Sequence, residues 1–485
     1  MKTIAQLFEG IDYAANYIDC DSKIDSIDHD SRDISPAGYP LFFAIKGTHH
    51  DGNELINAVL ATNKNTIVVS DRDHNRGIKV PELGKTMAIV ARRFYDFPDE
   101  KINIVAITGT NGKSSICFLL RHLLDECGLL STVEYDIGGE ILAAPNTTPI
   151  AIDFYKLLHK CWQNGCKSVA LETSSHGIDQ SRTFGLAIDI AIFTNLSHEH
   201  LDYHSTVENY FLAKKKLFTG ENGSVPKISL VNIDDNYGLK LFEILNANGQ
   251  RVRTFGFHKN ADFSITNVSK SFLAGSLFTV KHGSESHGFE TKLFGDYNIS
   301  NIVASIAAAN ILGNSFEQLR EKLVTFDGIP GRLDCVQLKT GALAFVDFAH
   351  TPYALERVFS TLLKQPHRHI ISVFGCGGER DRTKRAPMTT IVTKLSDFSI
   401  ATADNTRREP LEKIFDDMRI GVACGKDAIE FIPDRRTAIE RAVQMSRKGD
   451  IVLIAGRGHE NDHKIGNKII HFNDKEVLEE INAKL

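Results

Sequence analysis

The glycine-rich segment Gly109-Thr110-Asn111-Gly112-Lys113-Ser114-Ser115 has the residue types and spacing of a loop that binds phosphate. It joins the apolar stretch at residues 101–107 to a stretch with helical spacing of leucines. Glycines let backbone N–H groups close around phosphate oxygens, and the helix N-terminus adds a favourable dipole. Lys113 would neutralise the β- and γ-phosphates, and Ser114 would bind Mg²⁺. Because Ile107 stands where the strict P-loop pattern has its first glycine, the alternative is an ordinary glycine turn.

Polar residues also follow two other apolar stretches in the central part of the chain. Glu172 follows SVAL, where a carboxylate can hold Mg²⁺ or order a water near phosphate; the alternative is a helix-capping role. His198, His200 and His204 are close enough in sequence for a zinc site, although oxygen ligands with one imidazole suit Mg²⁺ beside phosphate better. The basic run at residues 214–216 by itself indicates a solvated helix face.

Three apolar stretches in the last third of the chain each end in a polar, glycine-bearing turn. The turns are Gly375-Cys376-Gly377-Gly378, Asp404-Asn405 and Gly456-Arg457-Gly458-His459-Glu460. In an open parallel sheet, ligands bind at the carboxyl ends of the strands. The charges clustered in these turns therefore predict a binding pocket, and the alternative is three ordinary connections between strand and helix.

An α/β architecture is needed to position these residues. Short apolar runs alternate with amphipathic stretches along the 485 residues, which is typical of domains with largely parallel sheets. At roughly 150 residues per domain, this length predicts about three domains. Breaks near Pro98 and at residues 327–331 place them at 1–97, 98–330 and 331–485. After the phosphate loop, the leucine spacing predicts a helix that stops at Gly128.

Composition and charge exclude several classes of function. The 56 Lys and Arg against 61 Asp and Glu give a net charge of −5, which offers no case for a surface that binds nucleic acid or an anionic membrane. No apolar run approaches the ~18 residues of a membrane span, and the first residues lack a signal peptide. The eight cysteines form no C-x-x-C pair, which favours a reduced compartment. We therefore expect a cytoplasmic monomer with no nucleic-acid partner and no membrane insertion.

Together these segments resemble those of the Mur ligases, which build the peptide of the bacterial cell wall. The resemblance covers nearly the whole chain, with its motifs in the same order. The motifs are Asp30-Ser31-Arg32, GTHHDG at 47–52, GTNGKSS, Asn146-Thr147-Thr148, ETSSHGIDQSR, FTNLSHEHLDYH, GDYNISN, Gly331-Arg332, DFAHTP, GCGGERD, DNTR and GRGHE. The resemblance implies an N-terminal uridine-nucleotide-binding α/β domain, a central P-loop ATPase domain and a C-terminal Rossmann-like domain that brings the amino acid.

The resemblance also implies the reaction, that of an ATP-dependent ligase adding the third residue of the peptide in peptidoglycan precursor synthesis. ATP would phosphorylate the free carboxylate of UDP-MurNAc-L-Ala-D-Glu, and the incoming amine would attack that acyl phosphate. Lys214 matches a lysine that CO₂ carbamylates, which would turn its cation into an anion able to ligate Mg²⁺. The implied catalytic residues are Lys113, Glu172, His200 and Lys214, and the implied metal ligands are Ser114, Glu172, His200 and Lys214.

Further positions carry over to the two nucleotide substrates. For ATP they are Gly109, Thr110, Asn111, Gly112, Lys113, Ser114, Ser115, Asn298, Asn301, Arg332 and Asp347. For the UDP-sugar they are His29, Ser31, Thr48, His49, His50, Asn146, Thr147, Thr148, Ser174, Gln180 and Arg182.

The amino acid would bind in the pocket predicted from the three strand ends. Arg380 matches a residue that holds its carboxylate, and Arg407 can make a bidentate bond to a second, distal carboxylate. Gly456 and Glu460 match positions that take the distal amine. Asp404-Asn405-Thr406-Arg407 matches the selectivity motif, with Thr406 in place of the usual proline. This set indicates meso-diaminopimelate, with lysine, ornithine or another amino acid as alternatives.

Three other functions stay open at this point. A Mur-type ligase of a secondary pathway could act on a different acyl acceptor. A catalytically silent nucleotide-binding protein could share the fold. A zinc hydrolase could use His198, His200 and His204.

Overall fold

The computed structural model describes residues 1–16, 18–47, 51–74, 77–197, 199–271, 275–293, 295–422, 428–466 and 468–485. The chain separates into two compact units. The first unit comprises Met1–Ser269, Ser276–Thr291 and Asp296–Phe326, and the second comprises Lys270–Gly275, Lys292–Gly295 and Asp327–Leu485.

The N-terminal part of the first unit is a small α/β layer. Its strands are β1 Lys2–Thr3, β2 Ala14–Asn16, β3 Lys23–Ile24, β4 Ser26–Asp28, β5 Pro40–Phe43, β6 Ile67–Ser70 and β7 Gly77–Lys79. Its α-helices are α1 Ile4–Leu7, α2 Ile56–Thr62 and α3 Leu83–Phe94, and Gly52–Leu55 is a 3₁₀ turn. The main sheet has the order β2-β7-β6-β5-β4, in which β4 to β7 pair in parallel.

The rest of the first unit is built on a larger sheet. Its strands are β8 Asn103–Thr108, β9 Cys127–Leu130, β10 Glu134–Asp136, β11 Ile141–Ala143, β12 Ser168–Glu172, β13 Ile190–Phe193, β14 Ile228–Asn232, β15 Val252–Gly256, β16 Phe263–Ser271, β17 Gly275–His282 and β18 Glu285–Thr291. Its helices are α4 Lys113–Leu123, α5 Ala151–Gln163, α6 Ser175–Asp179, α7 Leu201–His204, α8 Val207–Thr219, α9 Asn236–Ala247, α10 Asp296–Ile311 and α11 Phe316–Val324.

The parallel part of this sheet brings the candidate residues to one edge. The strand order is β11-β10-β9-β12-β8-β13-β14-β15-β16-β17-β18, and β9, β12, β8, β13 and β14 run parallel. The phosphate loop follows β8, Glu172 ends β12, and the histidine segment follows β13. Since all three are carboxyl ends of neighbouring strands, segments far apart in the chain meet there.

The helix after the phosphate loop is shorter than the sequence predicts. α4 ends at Leu123, and residues 127–130 form β9, so the prediction of a helix stop at Gly128 was wrong. All of β9 is buried, and a Cβ atom at Gly128 would lie 3.0 Å from Sγ of Cys161. A short apolar run that follows a helix cannot be told from its last turn by periodicity alone.

The second unit carries its own parallel sheet. Its strands are β19 Asp334–Gln337, β20 Leu343–Asp347, β21 Ile370–Cys376, β22 Phe398–Ala403, β23 Ile429–Ile432 and β24 Ile451–Ala455, followed by β25 Asp462–Ile465 and β26 Lys468–His471, which pair as a hairpin. Its helices are α12 Pro352–Leu362, α13 Arg385–Leu395, α14 Leu411–Arg419, α15 Arg435–Met445 and α16 Asp474–Lys484.

The three strands predicted to end in polar turns are direct neighbours. The sheet order is β19-β20-β24-β21-β22-β23, and β24, β21 and β22 pair in parallel. Their carboxyl ends therefore lie side by side, as the sequence predicts.

A continuous core joins the N-terminal layer to the larger sheet of the first unit. Apolar residues from Ile4 to Leu245 form one cluster, and Pro98–Glu100 is a 3₁₀ turn within this unit. The domain boundary at residue 97 stays a prediction. The α/β class with parallel sheets is confirmed. Among the described helices, none is long and apolar enough to cross a bilayer.

Candidate active site

The phosphate loop leads directly from β8 into α4. Gly112 caps the helix with φ +89°, a left-handed conformation that favours glycine. A Cβ atom there would lie 2.4 Å from Oδ1 of Asn301, and one at Gly109 would lie 1.9 Å from Oγ1 of Thr194. Both glycines are therefore required by close approach as well as by backbone conformation.

Residues after β13 hold the loop from the other side. Thr110 N–H donates to the Asn195 carbonyl over 2.8 Å, and Asn111 N–H donates to Asn195 Oδ1 over 3.0 Å. Thr194 Oγ1 donates to the Asn111 carbonyl over 2.6 Å. The Thr-Asn pair thus shapes the loop, a role that the sequence motif did not reveal.

Two lysines converge on the loop. Lys113 Nζ donates to the carbonyls of Gly109 and Thr110 at 3.0 and 2.8 Å. Lys214 Nζ donates to the same Gly109 carbonyl at 3.0 Å and lies 4.5 Å from the centre of the Tyr210 ring. Lys214 is only 1% exposed, so its interpretation as part of a solvated helix face was wrong. Burial and the charge of Lys113 lower the pKa of Lys214 well below its ordinary value.

Glu172 ends β12 with its carboxylate buried. The carboxylate accepts hydrogen bonds from Thr132, whose N–H lies 2.9 Å from Oε1 and whose hydroxyl lies 3.1 Å from Oε2. The Thr132 hydroxyl is also 3.1 Å from that of Thr147. Thr132 lies just beyond β9, and sequence reasoning missed it because β9 was predicted as the end of a helix.

His200 and His204, two of the three predicted histidines, lie at the same edge of the sheet as Glu172 and the phosphate loop. His200 begins α7 with φ +57°, and burial lowers its pKa to about 4, so its imidazole is neutral at neutral pH. Its ring centre is 5.0 Å from that of His176. His204 instead packs inward, with Nε2 2.9 Å from Oγ of Ser175. His198 lies outside the described residues.

The donor set fits a magnesium ion held partly by phosphate oxygens. Two buried hydroxyls at this edge, Thr173 Oγ1 and Ser197 Oγ, find no hydrogen-bond partner within the described chain. Ser197 N–H donates to Thr110 Oγ1 over 3.0 Å, which places it against the phosphate loop. Across the described ranges, no three His, Cys, Asp or Glu side chains are grouped to hold a metal by themselves. Such a site would need oxygens from a substrate.

Several residues predicted for the UDP-sugar are connected to one another. Thr148 Oγ1 is 3.1 Å from Ser174 Oγ, and Arg182 Nη1 donates to the Thr148 carbonyl over 2.6 Å. Arg182 Nη2 also donates to Gln180 Oε1 over 2.7 Å. The Tyr135 hydroxyl donates to the backbone carbonyl of Asn146.

The predicted residues of the N-terminal layer are only partly described. His29 Nε2 lies 2.9 Å from Oδ2 of Asp153, at the start of α5. Burial alone would lower the pKa of His29, but this hydrogen bond and the charge of Asp153 raise it overall. Ser31 lies in the turn after β4. Residues 48–50, with the predicted Thr48, His49 and His50, are outside the described part of the chain.

The residues predicted to contact ATP are divided between the two units. Ser114 and Ser115 are buried in the first turn of α4, and Asn298 and Asn301 are buried on α10, which packs against α4. Arg332 and Asp347 belong to the second unit, where Asp347 accepts from the N–H groups of Leu333 and Ala349 at 2.7 and 2.8 Å.

The pocket predicted in the second unit is assembled around Asn405. Its Nδ2 donates to Glu460 Oε2 over 2.7 Å, and its Oδ1 accepts from Arg457 Nη1 over 3.1 Å. Burial and the charge of Asp404 raise the pKa of Glu460. At Gly456, φ is +117° and a Cβ atom would lie 3.2 Å from Asp404 Oδ2.

Two arginines lie on the other side of this loop. Arg407 Nη1 donates to the carbonyls of Gly378 and Asn405 at 2.7 and 3.3 Å. Burial and the nearby charge of Arg380 lower the pKa of Arg407. The structure therefore brings Arg380, Asn405, Arg407 and Glu460 to one edge. Thr406 is buried between Asn405 and Arg407.

Buried arginines support this pocket, and no pattern in the sequence predicts their burial. Arg435 is fully buried and binds both oxygens of Asp474 at 2.7 Å. Burial raises the pKa of Asp404, yet the charges of Arg435 and Arg457 lower it overall and keep this carboxylate ionised. The pocket thus presents fixed anions beside fixed cations, an arrangement suited to a zwitterion.

These features are typical of α/β enzymes that bind a nucleotide on a phosphate loop and a charged second substrate in another unit. Comparisons with known proteins identify the family within this class. The family model described as the Mur ligase middle domain matches residues 107–309, and that described as the Mur ligase, glutamate ligase domain matches residues 331–458.

Full-length relatives give the same result. The chain is 36% identical over 480 residues to the UDP-N-acetylmuramoyl-L-alanyl-D-glutamate–2,6-diaminopimelate ligase of Fusobacterium nucleatum, covering 97% of this chain and 96% of that one. It is 35% identical over 488 residues to the ligase of that name from Alkaliphilus oremlandii, covering 99% of each. A solved structure of a ligase of that name is 29% identical, with a TM-score of 0.70, covering 100% of this chain and 99% of that chain. The chain belongs to the Mur ligase family.

Proposed function

We propose that this protein is the ATP-dependent ligase that adds meso-diaminopimelate to UDP-MurNAc-L-Ala-D-Glu in peptidoglycan precursor synthesis, and so serves cell-wall growth, cell shape and division. The observation that carries the proposal is the identity of 34–36% over nearly the full chain to relatives named for this reaction. The chemistry of the two candidate pockets agrees with it.

The first step would join a phosphoryl group to the free carboxylate of the UDP-sugar dipeptide, with ADP as the leaving group. Lys113 and the loop N–H groups would bind the phosphates, whose charge must be screened before a carboxylate can approach. Glu172, His200 and Ser114 would hold Mg²⁺, which supplies further charge neutralisation when bound. The hydroxyls of Thr147, Thr148 and Ser174, with Arg182, would orient the sugar dipeptide, and their hydrogen-bonded connections to one another and to Thr132 support this role.

Lys214 is proposed to react with CO₂ and become a carbamate. Only a neutral amine attacks CO₂, and the low pKa of buried Lys214 supplies that form. The N–C bond forms as the nitrogen releases a proton to water, so a neutral amine becomes an anion. The carbamate would attract the charge of Lys113 and could serve as a ligand for a second Mg²⁺.

The amino acid is proposed to bind with a carboxylate at each arginine and its distal amine at Glu460. Arg380 would take the carboxylate next to the reacting amine, and Arg407 would take the distal one. Glu460 and Asp404 would attract the distal ammonium. Lysine and ornithine lack the distal carboxylate and would leave Arg407 without its anion, so both would be used poorly.

The test is ADP release from ATP and Mg²⁺ with UDP-MurNAc-L-Ala-D-Glu, in parallel reactions with meso-diaminopimelate, L-lysine, L-ornithine or no amino acid. Fast turnover is expected with meso-diaminopimelate, with slow turnover of L-lysine and L-ornithine and none without an amino acid. Turnover with lysine or ornithine instead would keep the ligase and overturn the role of Arg407. No turnover with any of the four would favour a different acyl acceptor or a silent homologue.

The proposal also covers the location, the assembly state and the domain boundaries of the protein. We propose a cytoplasmic monomer with three domains at 1–97, 98–330 and 331–485, the last two joined near residues 327–331. ATP and amino acid would then bind different domains, and domain closure would bring them together. Sedimentation analysis would test the monomer, and limited proteolysis would test the boundaries.

A further inference from the structure

The β25–β26 hairpin follows Glu460 directly and contacts the loop at residues 404–407. Most of the hairpin faces solvent, and Ile465, Ile469 and Ile470 are 44–65% exposed. Its one buried side chain among the described residues is that of His463, at 4% exposure. An element with so little core of its own is held in place by its contacts with the loop and with Arg457.

Main-chain hydrogen bonds join the hairpin to Arg407. The N–H of Arg407 donates to the Lys464 carbonyl over 3.0 Å, and the N–H of Gly466 donates to the Arg407 carbonyl over 2.6 Å. Together they form a parallel bridge between Arg407 and Ile465. Arg407 has φ +52°, a left-handed conformation that costs a residue with a side chain about 1 kcal/mol. The bridge holds the backbone in this strained conformation.

Further contacts join the hairpin to Asp404 and Asn405 in the same loop. Lys464 N–H donates to Asn405 Oδ1 over 2.8 Å. This bond orients the side-chain amide of Asn405, whose Nδ2 donates to Glu460. His463 Nε2 lies 3.0 Å from the Asp404 carbonyl, and because a carbonyl only accepts, the imidazole is the donor. The hairpin therefore contacts Asp404, Asn405 and Arg407, each at a different atom.

We propose that this hairpin is the specificity-determining support of the amino-acid pocket, with His463, Lys464 and Gly466 as positioning residues that aim Arg407 at a distal carboxylate. Threonine at position 406 leaves the φ angle of this turn free, since only a proline ring would fix it. Here the hairpin bonds supply the restraint that threonine does not. This inference rests on the proposed function, since the aim of Arg407 matters only for a substrate with that second carboxylate.

The hairpin register provides a matched pair of variants. Lys464 turns its N–H and C=O toward the loop, so it forms a non-hydrogen-bonded pair with Ile469 on the opposite strand. The N–H of Ile469 then points away from β25. Lys464→Pro removes the donor to Asn405 and puts a ring in its place, while Ile469→Pro removes an N–H from the same hairpin without touching the loop.

The kinetic readout separates positioning from folding. Lys464→Pro is expected to raise KM for meso-diaminopimelate about tenfold, the equivalent of one hydrogen bond, and to leave KM for ATP unchanged. Ile469→Pro should leave both constants at wild-type values. Equal changes in the two variants would overturn the proposal, since they would reflect the hairpin as a whole.

A second readout does not depend on turnover. Hydrogen exchange at the Arg407 amide should be slow in the wild type and in Ile469→Pro, and at least about tenfold faster in Lys464→Pro. If Lys464→Pro does not fold, His463→Leu and His463→Gln replace it. The Leu variant should weaken diaminopimelate binding and speed this exchange, and Gln, which keeps a donor, should restore both. Equal behaviour of Leu and Gln would overturn the proposal.

The proposed function and the hairpin proposal can be overturned independently of each other. A wild-type protein that does not turn over diaminopimelate would overturn the proposed function, and amide exchange would then decide whether the hairpin restrains the loop. Wild-type turnover with unchanged exchange in Lys464→Pro would overturn the hairpin proposal and leave the ligase intact.

Discussion

Lys113 and Lys214 direct their Nζ atoms at the same carbonyl oxygen, that of Gly109, each at 3.0 Å. Two full positive charges on one acceptor in a buried site would repel strongly. The repulsion is relieved if Lys214 is neutral, and the site then holds an amine ready for modification.

Replacement of Lys214 by alanine should lower turnover at least about a hundredfold, the effect of losing a group that supports a metal site. Acetate or another short carboxylate should restore part of the activity, because it can occupy the place of the carbamate. The measurement is ADP release with and without the added acid. Lys215→Ala is the matched control, since Lys215 pairs with Glu221 on the protein surface and should be dispensable. Near-normal rates in Lys214→Ala would refute the carbamate.

Replacement of Arg407 by alanine should discriminate between amino acids. The variant should lose about a hundredfold in kcat/KM for meso-diaminopimelate, since a bidentate bond to a carboxylate is worth about 3 kcal/mol. The slow turnover of lysine should change little, because lysine has no group for Arg407. Arg408→Ala is the control, because Arg408 is 75% exposed and pairs with Glu379. Equal losses for both amino acids would contradict the assignment of the distal carboxylate.

Gly112→Ala should impair nucleotide binding beyond its effect on stability. The added Cβ would displace Asn301, and alanine at φ +89° adds about 1 kcal/mol of strain. We expect KM for ATP to rise about tenfold, measured with the other substrates saturating. Gly165→Ala is a close match, because Gly165 has φ +86° and open space around it. Gly165→Ala should lower the free energy of unfolding by a similar amount and keep the wild-type KM for ATP. A similar rise in KM for ATP in Gly165→Ala would contradict an effect that is local to the phosphate loop.

In the first unit, the phosphate loop could be predicted, and the residue that holds the Glu172 carboxylate could not. The loop is a local pattern, in which Gly109 to Ser115 carry their own spacing and chemistry. Thr132, which holds Glu172, depends on the parallel pairing of β9 with β12. That pairing joins residues 41 positions apart in the chain, and the sequence of β9 resembles the last turn of a helix.

In the second unit, the strand ends could be predicted and the buried charges could not. Apolar runs predict the three strands, although the first of them continues through Gly375 and Cys376, which the sequence places in a turn. The sequence Arg435-Arg436 gives no sign that Arg435 is fully buried while Arg436 pairs with Glu480 on the surface. Burial of a charge depends on partners from distant elements, here Asp474 on α16.

The pair of Arg385 and Glu409 should make stability depend on pH near the amino-acid pocket. Arg385 is fully buried and binds both carboxylate oxygens of Glu409 at 2.8 Å, and Glu409 also accepts from Glu379 N–H over 2.8 Å. The hydrogen bonds from Arg385 lower the pKa of Glu409 from 4.5 to about 2. Because the folded state holds this proton less tightly than the unfolded state, the stabilisation is fully present above about pH 4.5 and is lost as the pH falls through about 2.

Glu409→Gln should therefore lower the free energy of unfolding of the second unit by about 2 kcal/mol at pH 7. The difference between variant and wild type should shrink as the pH is lowered to 4 and then 3, because the Glu409 carboxylate of the unfolded wild type gains a proton there while that of the folded state stays ionised. Urea unfolding at each pH measures it. Glu412→Gln serves as the control, since Glu412 is 70% exposed and meets Arg419 at 3.4 Å. A difference that stays constant with pH would mean that Glu409 acts through shape and not through charge.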